Sequence, residues 1–269
     1  MNYSFVAETD KGRVRDNNED AVAFDEATRL CVLADGMGGY NAGEVASGMA
    51  TDLILADMSR WLAESAQNVA ASNIRHAIDD AIDRSNQAIF EAAHANPDWS
   101  GMGTTLVVGV FHANRLILGH IGDSRCYCLR RGRLRQLTKD HTLLQEQLDA
   151  GLLTPRQAQI SMHRNLLTRA LGVETRMYAE LNEYEVLPGD VYMLCSDGLT
   201  DMVGGAEIAK LMGLKIPLPQ RAKRLIQAAN AHGGRDNITV LLAKVEATEG
   251  ESGLVTRWWK KLKYFHHNN

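Results

Sequence analysis

Apolar residues recur along this chain with two different spacings, and these predict strands and helices in separate runs. Short alternating or continuous apolar segments are typical of strands, whereas apolar residues three and four positions apart are typical of amphipathic helices. The strands are predicted at 3–7, 21–24, 30–34, 104–111, 115–121, 124–129, 133–137, 177–186, 190–195 and 237–245. The helices are predicted at 43–66, 73–94, 206–212 and 219–231.

The order of these elements predicts the fold class. Grouped strands separated by helices favour an α+β protein with antiparallel sheets over repeated βαβ units. Segments 30–34 and 191–195 are apolar at every position, as expected of strands covered on both faces. Two packed sheets with helices outside each would meet this condition. The runs between 104 and 137 are separated by short polar turns, so we expect successive hairpins there.

Composition narrows the class of protein. Of the 269 residues, 45% are hydrophobic, which is enough for a large globular core, and the net charge of −4 argues against a nucleic-acid binder. The first residues lack the features of a secretory signal, and no apolar run approaches the ~20 residues of a spanning helix. All cysteines lie in strand-like runs, at Cys31, Cys126, Cys128 and Cys195. This pattern predicts reduced core thiols in a cytoplasmic protein without a transmembrane segment.

Three acidic dipeptides stand where apolar strands begin or end. Asp35-Gly36 and Asp197-Gly198 follow such strands, and Asp236-Asn237 precedes one. An isolated Asp-Gly usually marks only a turn. Three strand-end aspartates, two of them beside a glycine that lets the backbone come close, instead suit a site for a hard cation with oxygen ligands. The sequence therefore predicts one metal centre that folding assembles.

Further short polar motifs accompany these dipeptides in a characteristic order. They are Gly12-x-x-Arg15-x-x-Asn18-Glu19-Asp20, Asp35-Gly36-Met37-Gly38-Gly39, Gly103-Thr104-Thr105, Gly122-Asp123-Ser124-Arg125, Leu137-Thr138-x-Asp140-His141, Asn165-x-Leu167-Thr168-Arg169-Ala170-Leu171-Gly172, Ser196-Asp197-Gly198-Leu199 and Arg235-Asp236-Asn237-Ile238-Thr239. Each motif is weak alone. Together, over roughly residues 1 to 245, they resemble the protein phosphatase 2C family of metal-dependent serine/threonine phosphatases in its compact bacterial form.

The resemblance implies both a fold and a metal centre. The fold is an α-β-β-α four-layer sandwich, and the cofactors are two Mn²⁺ or Mg²⁺ ions with a third, weaker site. The implied metal-binding residues are Asp35 as the bridge between two ions, the Gly36 carbonyl, Asp197, Asp236, Glu19 and Asp20 acting largely through water, and Asp123 with Asp197 at the third site. Arg15 matches the arginine that holds the substrate phosphate. The implied reaction is hydrolysis of phosphoserine or phosphothreonine by a metal-activated water.

The chain departs from one pattern in the family. Some members carry a histidine two residues after the bridging aspartate, where this chain has Met37. Met37 cannot donate a proton, so a metal-bound water, His141 or His163 remain as alternative donors to the leaving oxygen. Asp123 is also compatible with a plain hairpin turn. We expect Thr104, Thr105, Arg125, Asp140 and Arg169 to be structural.

Other functions and the partners remain open at this stage. One alternative is a catalytically silent member that only binds phosphoproteins, and another is a two-metal phosphodiesterase. The expected partners are phosphoprotein substrates and a cognate Ser/Thr kinase, with the protein a monomer. We divide the chain into a phosphatase domain at 1–247 and a tail at 248–269, whose basic aromatic part is compatible with docking on a partner or a membrane surface. The polar segment 139–163 is expected to be a surface flap.

Overall fold

The computed structural model describes residues 1–39, 42–65, 69–158 and 166–247. His163 and the tail at 248–269 lie outside these ranges. The strands are β1 Asn2–Asp10, β2 Asp20–Asp25, β3 Leu30–Met37, β4 Gly103–Thr104, β5 Leu106–His112, β6 Arg115–Ile121, β7 Arg125–Arg130, β8 Arg133–Gln136, β9 Glu180–Glu185, β10 Val191–Cys195 and β11 Ile238–Glu246. The α-helices are α1 Ala42–Glu64, α2 Ala71–Ala95, α3 Leu143–Asp149, α4 Pro155–Ala158, α5 Asp197–Thr200, α6 Gly205–Met212 and α7 Leu218–Ala231, and Pro97–Trp99 forms a 3₁₀ turn.

The strands form two antiparallel sheets. Sheet I has the order β1-β11-β10-β7-β8, and sheet II has the order β2-β3-β5-β6-β9, with β4 paired to β3. Helices α1 and α2 cover sheet II, and α6 and α7 cover sheet I. The predicted α-β-β-α four-layer sandwich is therefore confirmed. Among the described residues, no helix combines the length and the apolar character needed to cross a bilayer.

Three apolar layers explain why the central strands are apolar at every position. On β3, Leu30 and Val32 pack towards α1 and α2, whereas Cys31 and Leu33 face the other sheet. On β10 the alternation is the same, with Met193 towards α6 and α7 and its neighbours between the sheets. Because successive side chains point to opposite faces of a strand, each residue of such a strand enters one of two cores.

The predicted run of successive hairpins is wrong at one place. Strands β5 and β6 form a hairpin, as do β7 and β8, but β6 belongs to sheet II and β7 to sheet I. The Gly122-Asp123-Ser124 segment therefore crosses from one sheet to the other and is not a hairpin turn. Gly122 has a φ of +94°, and its amide donates to His141 Nδ1 at 3.1 Å. Apolar alternation is the same for a hairpin and for a crossing, so the pattern could not distinguish them.

Two predicted strands are also shorter than expected. The strand predicted at 104–111 is divided into β4 and β5 at Thr105, whose amide donates to the Asp35 carbonyl at 2.9 Å. The strand predicted at 177–186 begins only at Glu180. In the predicted flap, α3 has no buried residue, but the residues before it, Thr138, His141 and Thr142, are buried. This flap thus has a half-buried helix on a buried base.

Candidate metal centre

Carboxylates from both sheets meet at one end of the sandwich. Asp35 near the end of β3 lies opposite Asp20 at the start of β2. Asp197 follows β10 and Asp236 precedes β11, while Asp123 lies on the crossing between the sheets. The residues at these ends are neighbours because Cys195 pairs with both Arg125 and Val240. The fold therefore brings together aspartates that are far apart in the sequence.

The proximity of these carboxylates is visible in their pKa values. Burial raises the pKa of Asp35 well above its ordinary value, and the charges of Asp20 and Asp197 raise it further. Burial likewise raises the pKa of Asp197 strongly, with Asp123 as the next contribution. Burial raises the pKa of Asp20 to about 6 and that of Asp123 to about 6. Like charges in a partly desolvated site disfavour ionisation of one another.

Arg15 is a basic residue that forms an ion pair with one member of this cluster, Asp236. Its Nη2 donates to Asp236 Oδ2 at 2.7 Å, and half of its side chain remains exposed. The hydrogen bond to Asp236 raises the pKa of Arg15, and the charges of Glu19 and Asp35 contribute in the same direction. Arg15 therefore stays charged and offers its exposed donors towards solvent. One guanidinium cannot balance the negative charge of the whole cluster.

Hydrogen bonds hold the Asp20 side chain and the Asp35 backbone in place. The Ser196 hydroxyl donates to Asp20 Oδ2 at 2.7 Å, and the Asp35 amide donates to Thr105 Oγ1 at 3.0 Å. Asp20 Oδ1 is buried without a hydrogen-bond partner. A buried carboxylate oxygen without a donor is unfavourable unless another positive group satisfies it.

Asn237 connects the segments that carry Arg15, Glu19 and Asp236. Its Oδ1 accepts from the Glu19 amide at 2.8 Å, and its Nδ2 donates to the carbonyls of Lys11 at 3.0 Å and Asn17 at 2.8 Å. The side chain is almost fully buried. Sequence reasoning quoted Asn237 within a motif but gave it no role. The role was hidden because each of these contacts joins segments about two hundred residues apart in the chain.

Glycine is required where backbones cross beneath the centre. A Cβ on Gly36 would collide with the Gly43 carbonyl at the start of α1, and a Cβ on Gly198 would collide with the Asn237 carbonyl. The Gly36 amide also donates to the Glu19 carbonyl at 3.1 Å. Close approach of backbones therefore fixes Glu19 against the turn that follows Asp35.

A cavity of about 380 Å³ adjoins the acidic cluster on the side of Asp123 and Asp197. Leu144 and Leu148 of α3 line its wall, so part of the predicted flap faces the site. Asp201 also lines the cavity, and its charge contributes to the raised pKa of Asp197. Sequence reasoning missed Asp201, although its position four residues after Asp197 would place both on one side of a helical turn.

Several residues of the motifs make contacts that hold neighbouring segments together. Arg125 Nε donates to Asp140 Oδ1 at 2.9 Å, and this ion pair ties the start of β7 to the base of the flap. Thr104 Oγ1 donates to the Asp35 carbonyl at 2.9 Å.

His141 does not fit the role of a proton donor. It is buried, its Nδ1 accepts from the Gly122 amide, and its ring stacks on His120 with centroids 4.7 Å apart. Burial, followed by the charge of His120, lowers the pKa of His141 to about 4. The ring is therefore neutral near pH 7 and supports the crossing at Gly122 and Asp123 instead.

The residues present fit hard divalent cations. The cluster offers carboxylate oxygens from Glu19, Asp20, Asp35, Asp123, Asp197, Asp201 and Asp236. Mg²⁺ and Mn²⁺ prefer such oxygen ligands. The unpartnered Asp20 oxygen and the mutual repulsion of the aspartates are the features that a cation would relieve.

Comparison with known proteins identifies the family. Residues 10–242 match the family model described as protein phosphatase 2C. The chain belongs to this family, as the sequence motifs predicted. It is 44% identical over 243 residues to the serine/threonine protein phosphatase PstP of Mycobacterium tuberculosis, covering 90% of this chain and 45% of that relative. The chain therefore spans about half the length of that relative.

Other relatives match over most of their length. The serine/threonine phosphatase Stp of Listeria innocua is 38% identical over 239 residues, which cover 88% of this chain and 93% of the relative. The crystal structure of M. tuberculosis PstP superposes with a TM-score of 0.82 at 41% identity, covering 92% of this chain and all of that structure. A structure of the PstP catalytic domain in complex with two manganese ions has a TM-score of 0.77 at 40% identity and covers 91% of this chain and 99% of that structure.

The raised pKa values predict how Mn²⁺ stabilises the protein at different pH. Asp20 and Asp123 have folded-state pKa values of about 6, above their ordinary value of 3.8. In chelator, their contribution to stability is complete below about pH 4 and is lost as the pH rises through about 6. Bound cations need the ionised carboxylates. Mn²⁺ should therefore raise the Tm strongly at about pH 7.5 and little at about pH 5.

Calorimetry in EDTA and in excess Mn²⁺ would measure this difference. At a hundred times the Kd, a ligand stabilises the folded state by about 2.7 kcal/mol. The Asp123→Asn variant removes one of these titrating carboxyl groups. The Tm of this variant in EDTA should therefore fall less between about pH 5 and 7 than the Tm of the unmodified chain. An equal effect of Mn²⁺ on the Tm at both pH values would contradict the assignment.

Proposed function

We propose that this chain hydrolyses phosphoserine and phosphothreonine in proteins with the help of two Mn²⁺ or Mg²⁺ ions. The observation that carries the proposal is the cluster of partly buried aspartates with Arg15 at its edge, which puts the proposed metal ligands beside the proposed phosphate-binding group. Family membership and the phosphatase names of the relatives support it. A solved neighbour in complex with two manganese ions supports the choice of cation.

We assign the metal-binding roles residue by residue. Asp35 would contact both ions, as the family resemblance implies, and the charges of Asp20, Asp197, Asp123 and Asp236 all act on its carboxylate. Asp197, Asp236 and the Gly36 carbonyl would complete the direct ligands. Glu19 and Asp20 would act largely through water, and Asp123 would hold a third ion with Asp197. Asp201 lines the same cavity and belongs with that third position.

The chemistry of the proposed reaction divides between the cations and the protein. When bound, the cations supply a water of lowered pKa and offset the charge of the phosphate. Arg15 would hold two phosphate oxygens through its paired N–H groups and orient the phosphorus for in-line attack. Its bond to Asp236 keeps the guanidinium at the edge of the cluster while half of the side chain remains open to a substrate. Met37 and the neutral His141 supply no proton to the leaving oxygen, so water and His163, which lies outside the described residues, are the remaining donors.

The two alternative functions fit the site less well. A module that only binds phosphoproteins has no need for a full set of acidic residues with a buried, unpartnered oxygen. A two-metal phosphodiesterase more often uses ligand sets rich in histidine. Here His120 and His141 lie together with Glu180, and this group includes none of the residues of the acidic cluster. The acidic cluster therefore favours phosphomonoester hydrolysis.

We also infer the setting in which the protein acts. Its partners would be phosphorylated proteins and a cognate Ser/Thr kinase, whose action it would reverse, and it would act as a monomer. The four cysteines are buried and unpaired, which fits a reducing compartment such as the cytoplasm.

Hydrolysis of a phosphothreonine peptide tests the proposed activity. We expect turnover in excess Mn²⁺, no turnover in EDTA, and recovery when Mn²⁺ is restored. A simple phosphodiester should be a poor substrate under the same conditions, because the proposed site binds a terminal phosphoryl group. A folded protein that fails to hydrolyse the phosphopeptide in Mn²⁺, or that prefers the diester, would rule out this function.

Substitution of Arg15 tests the phosphate-binding role. A hydrogen bond to a charged group contributes about 1.5–3 kcal/mol, so Arg15→Ala should lower kcat/KM by roughly 10- to 150-fold, with a rise in KM. Arg15→Lys keeps the charge but loses the planar fork, and its kcat/KM should be intermediate. Steady-state kinetics at saturating Mn²⁺ would measure both variants. Unchanged KM and kcat in Arg15→Ala would contradict the proposed role of Arg15 in phosphate binding.

A further inference from the structure

A second cleft, of about 890 Å³, opens along one side of the sandwich away from the acidic cluster. It lies where β8 ends sheet I and β9 ends sheet II, so both of its walls are free sheet edges. Arginines at positions 130, 131, 133 and 135 line it together with Tyr184 and Tyr192. These arginines lie on the β7–β8 hairpin, and the proposed reaction does not use them.

The strand register explains why this part of the sandwich is basic. Tyr192, Cys128 and Arg135 are neighbours across β10, β7 and β8, and Arg130 lies opposite Arg133. Tyr192 and Cys128 belong to the apolar core between the sheets, so Arg135 continues that inner face at the edge. Leu134 points the other way and packs against the core beneath α6 and α7. The alternation of β8 thus directs its two arginines into the cleft.

The charges in the cleft are only partly balanced, because Glu185 is the one carboxylate among its lining residues, against four arginines. Asp190 accepts hydrogen bonds from Arg130 Nε at 2.9 Å and from Arg130 Nη2 at 2.7 Å. This carboxylate therefore neutralises Arg130 and leaves the other three arginines unpaired with it. Among the residues that the structure describes, Arg131, Arg133 and Arg135 form no ion pair with a carboxylate. Arg135 instead lies 5.9 Å from the centre of the Tyr184 ring. Three exposed guanidinium groups over an apolar and aromatic floor therefore stand out on a chain whose net charge is −4.

The free edge of β8 adds backbone groups to this surface. β8 pairs with β7 on one side only, so outward-facing N–H and C=O groups on its other side are available to an extended peptide. Alternate side chains of such a peptide would enter the cleft. Acidic side chains at those positions would meet the unpaired arginines.

We propose that this cleft binds an extended acidic segment of a protein substrate, at a site separate from the phosphate-binding centre. The proposal rests on the proposed phosphatase function. Arg125 lies near the acidic cluster, and Arg130 lies five residues further along β7, which is a distance of roughly 17 Å. An extended chain needs about five residues to cover that distance. Substrates with an acidic stretch at least about five residues from the phosphorylated residue would therefore contact both sites.

Direct binding tests the cleft independently of catalysis. The probe is a fluorescein-labelled, unphosphorylated peptide of alternating Glu and Val, about eight residues long, with fluorescence anisotropy measured in EDTA. The full chain should bind this peptide, and Arg133→Glu/Arg135→Glu should raise the Kd at least about tenfold. The matched control is Arg60→Glu/Arg224→Glu, which makes the same change in net charge at exposed positions on α1 and α7. The control should bind like the unmodified chain.

Each result decides the proposal. Equal Kd values for the cleft variant and the matched control, or no binding by the unmodified chain, would overturn it. If the double variant fails to fold by Tm, the milder Arg133→Gln replaces it and should weaken binding by a smaller factor. A peptide in which Lys replaces Glu should not bind. Because the probe carries no phosphate and no cation is present, failure here is distinguishable from failure of the proposed activity.

Kinetics connect the cleft to substrate choice. Two phosphothreonine peptides would be compared in Mn²⁺, one with an acidic stretch about five residues from the phosphothreonine and one with serines in its place. The unmodified chain should show the lower KM for the acidic peptide, and the cleft variant should lose this preference. Its turnover of the serine peptide should be unchanged, because the cleft residues lie outside the metal centre. A preference that survives in the cleft variant would contradict the proposal.

Discussion

Repulsion among partly buried carboxylates is the constraint on which the rest of this structure depends. Burial raises the pKa values of Asp20, Asp35, Asp123 and Asp197, the charges of neighbouring carboxylates raise them further, and Arg15 balances only a part of the negative charge. A chain holds such groups together only if its core contributes more stability than their crowding costs. The same crowding makes the site suitable for divalent cations.

The four-layer sandwich provides that stability and sets the geometry. Three apolar layers anchor the strands whose ends carry the acidic residues. Near the ends, Ser196, Thr105 and Asn237 hold the carboxylates and their loops by hydrogen bonds. At the open side of the same sandwich, the inner face changes from apolar to basic residues. The acidic residues of the metal centre and the arginines of the basic cleft thus both lie at strand positions outside the apolar core.

Much of the fold and site could be predicted from the sequence because the signals were local. The strand-end motifs around Asp35, Asp197 and Asp236 carry the family resemblance, and continuous apolar strands indicated layers on both faces. Contacts between distant segments were not predictable in this way. The crossing at Gly122, the contacts of Asn237 and the burial of His141 depend on which strands pair, and apolar periodicity does not contain that information. The role of Asp201 depends on the helical turn after Asp197, which sequence reasoning did not examine.

The central claim is that Asp35 joins two cations into one centre, and counting bound Mn²⁺ by equilibrium dialysis tests it most directly. The account predicts two tightly bound Mn²⁺ per chain, the number named for the similar PstP structure. Asp35→Asn should lose both as tight sites while keeping its fold by circular dichroism, whereas Asp123→Asn should keep both. An Asp35→Asn protein that binds two Mn²⁺ with unchanged affinity would contradict the account.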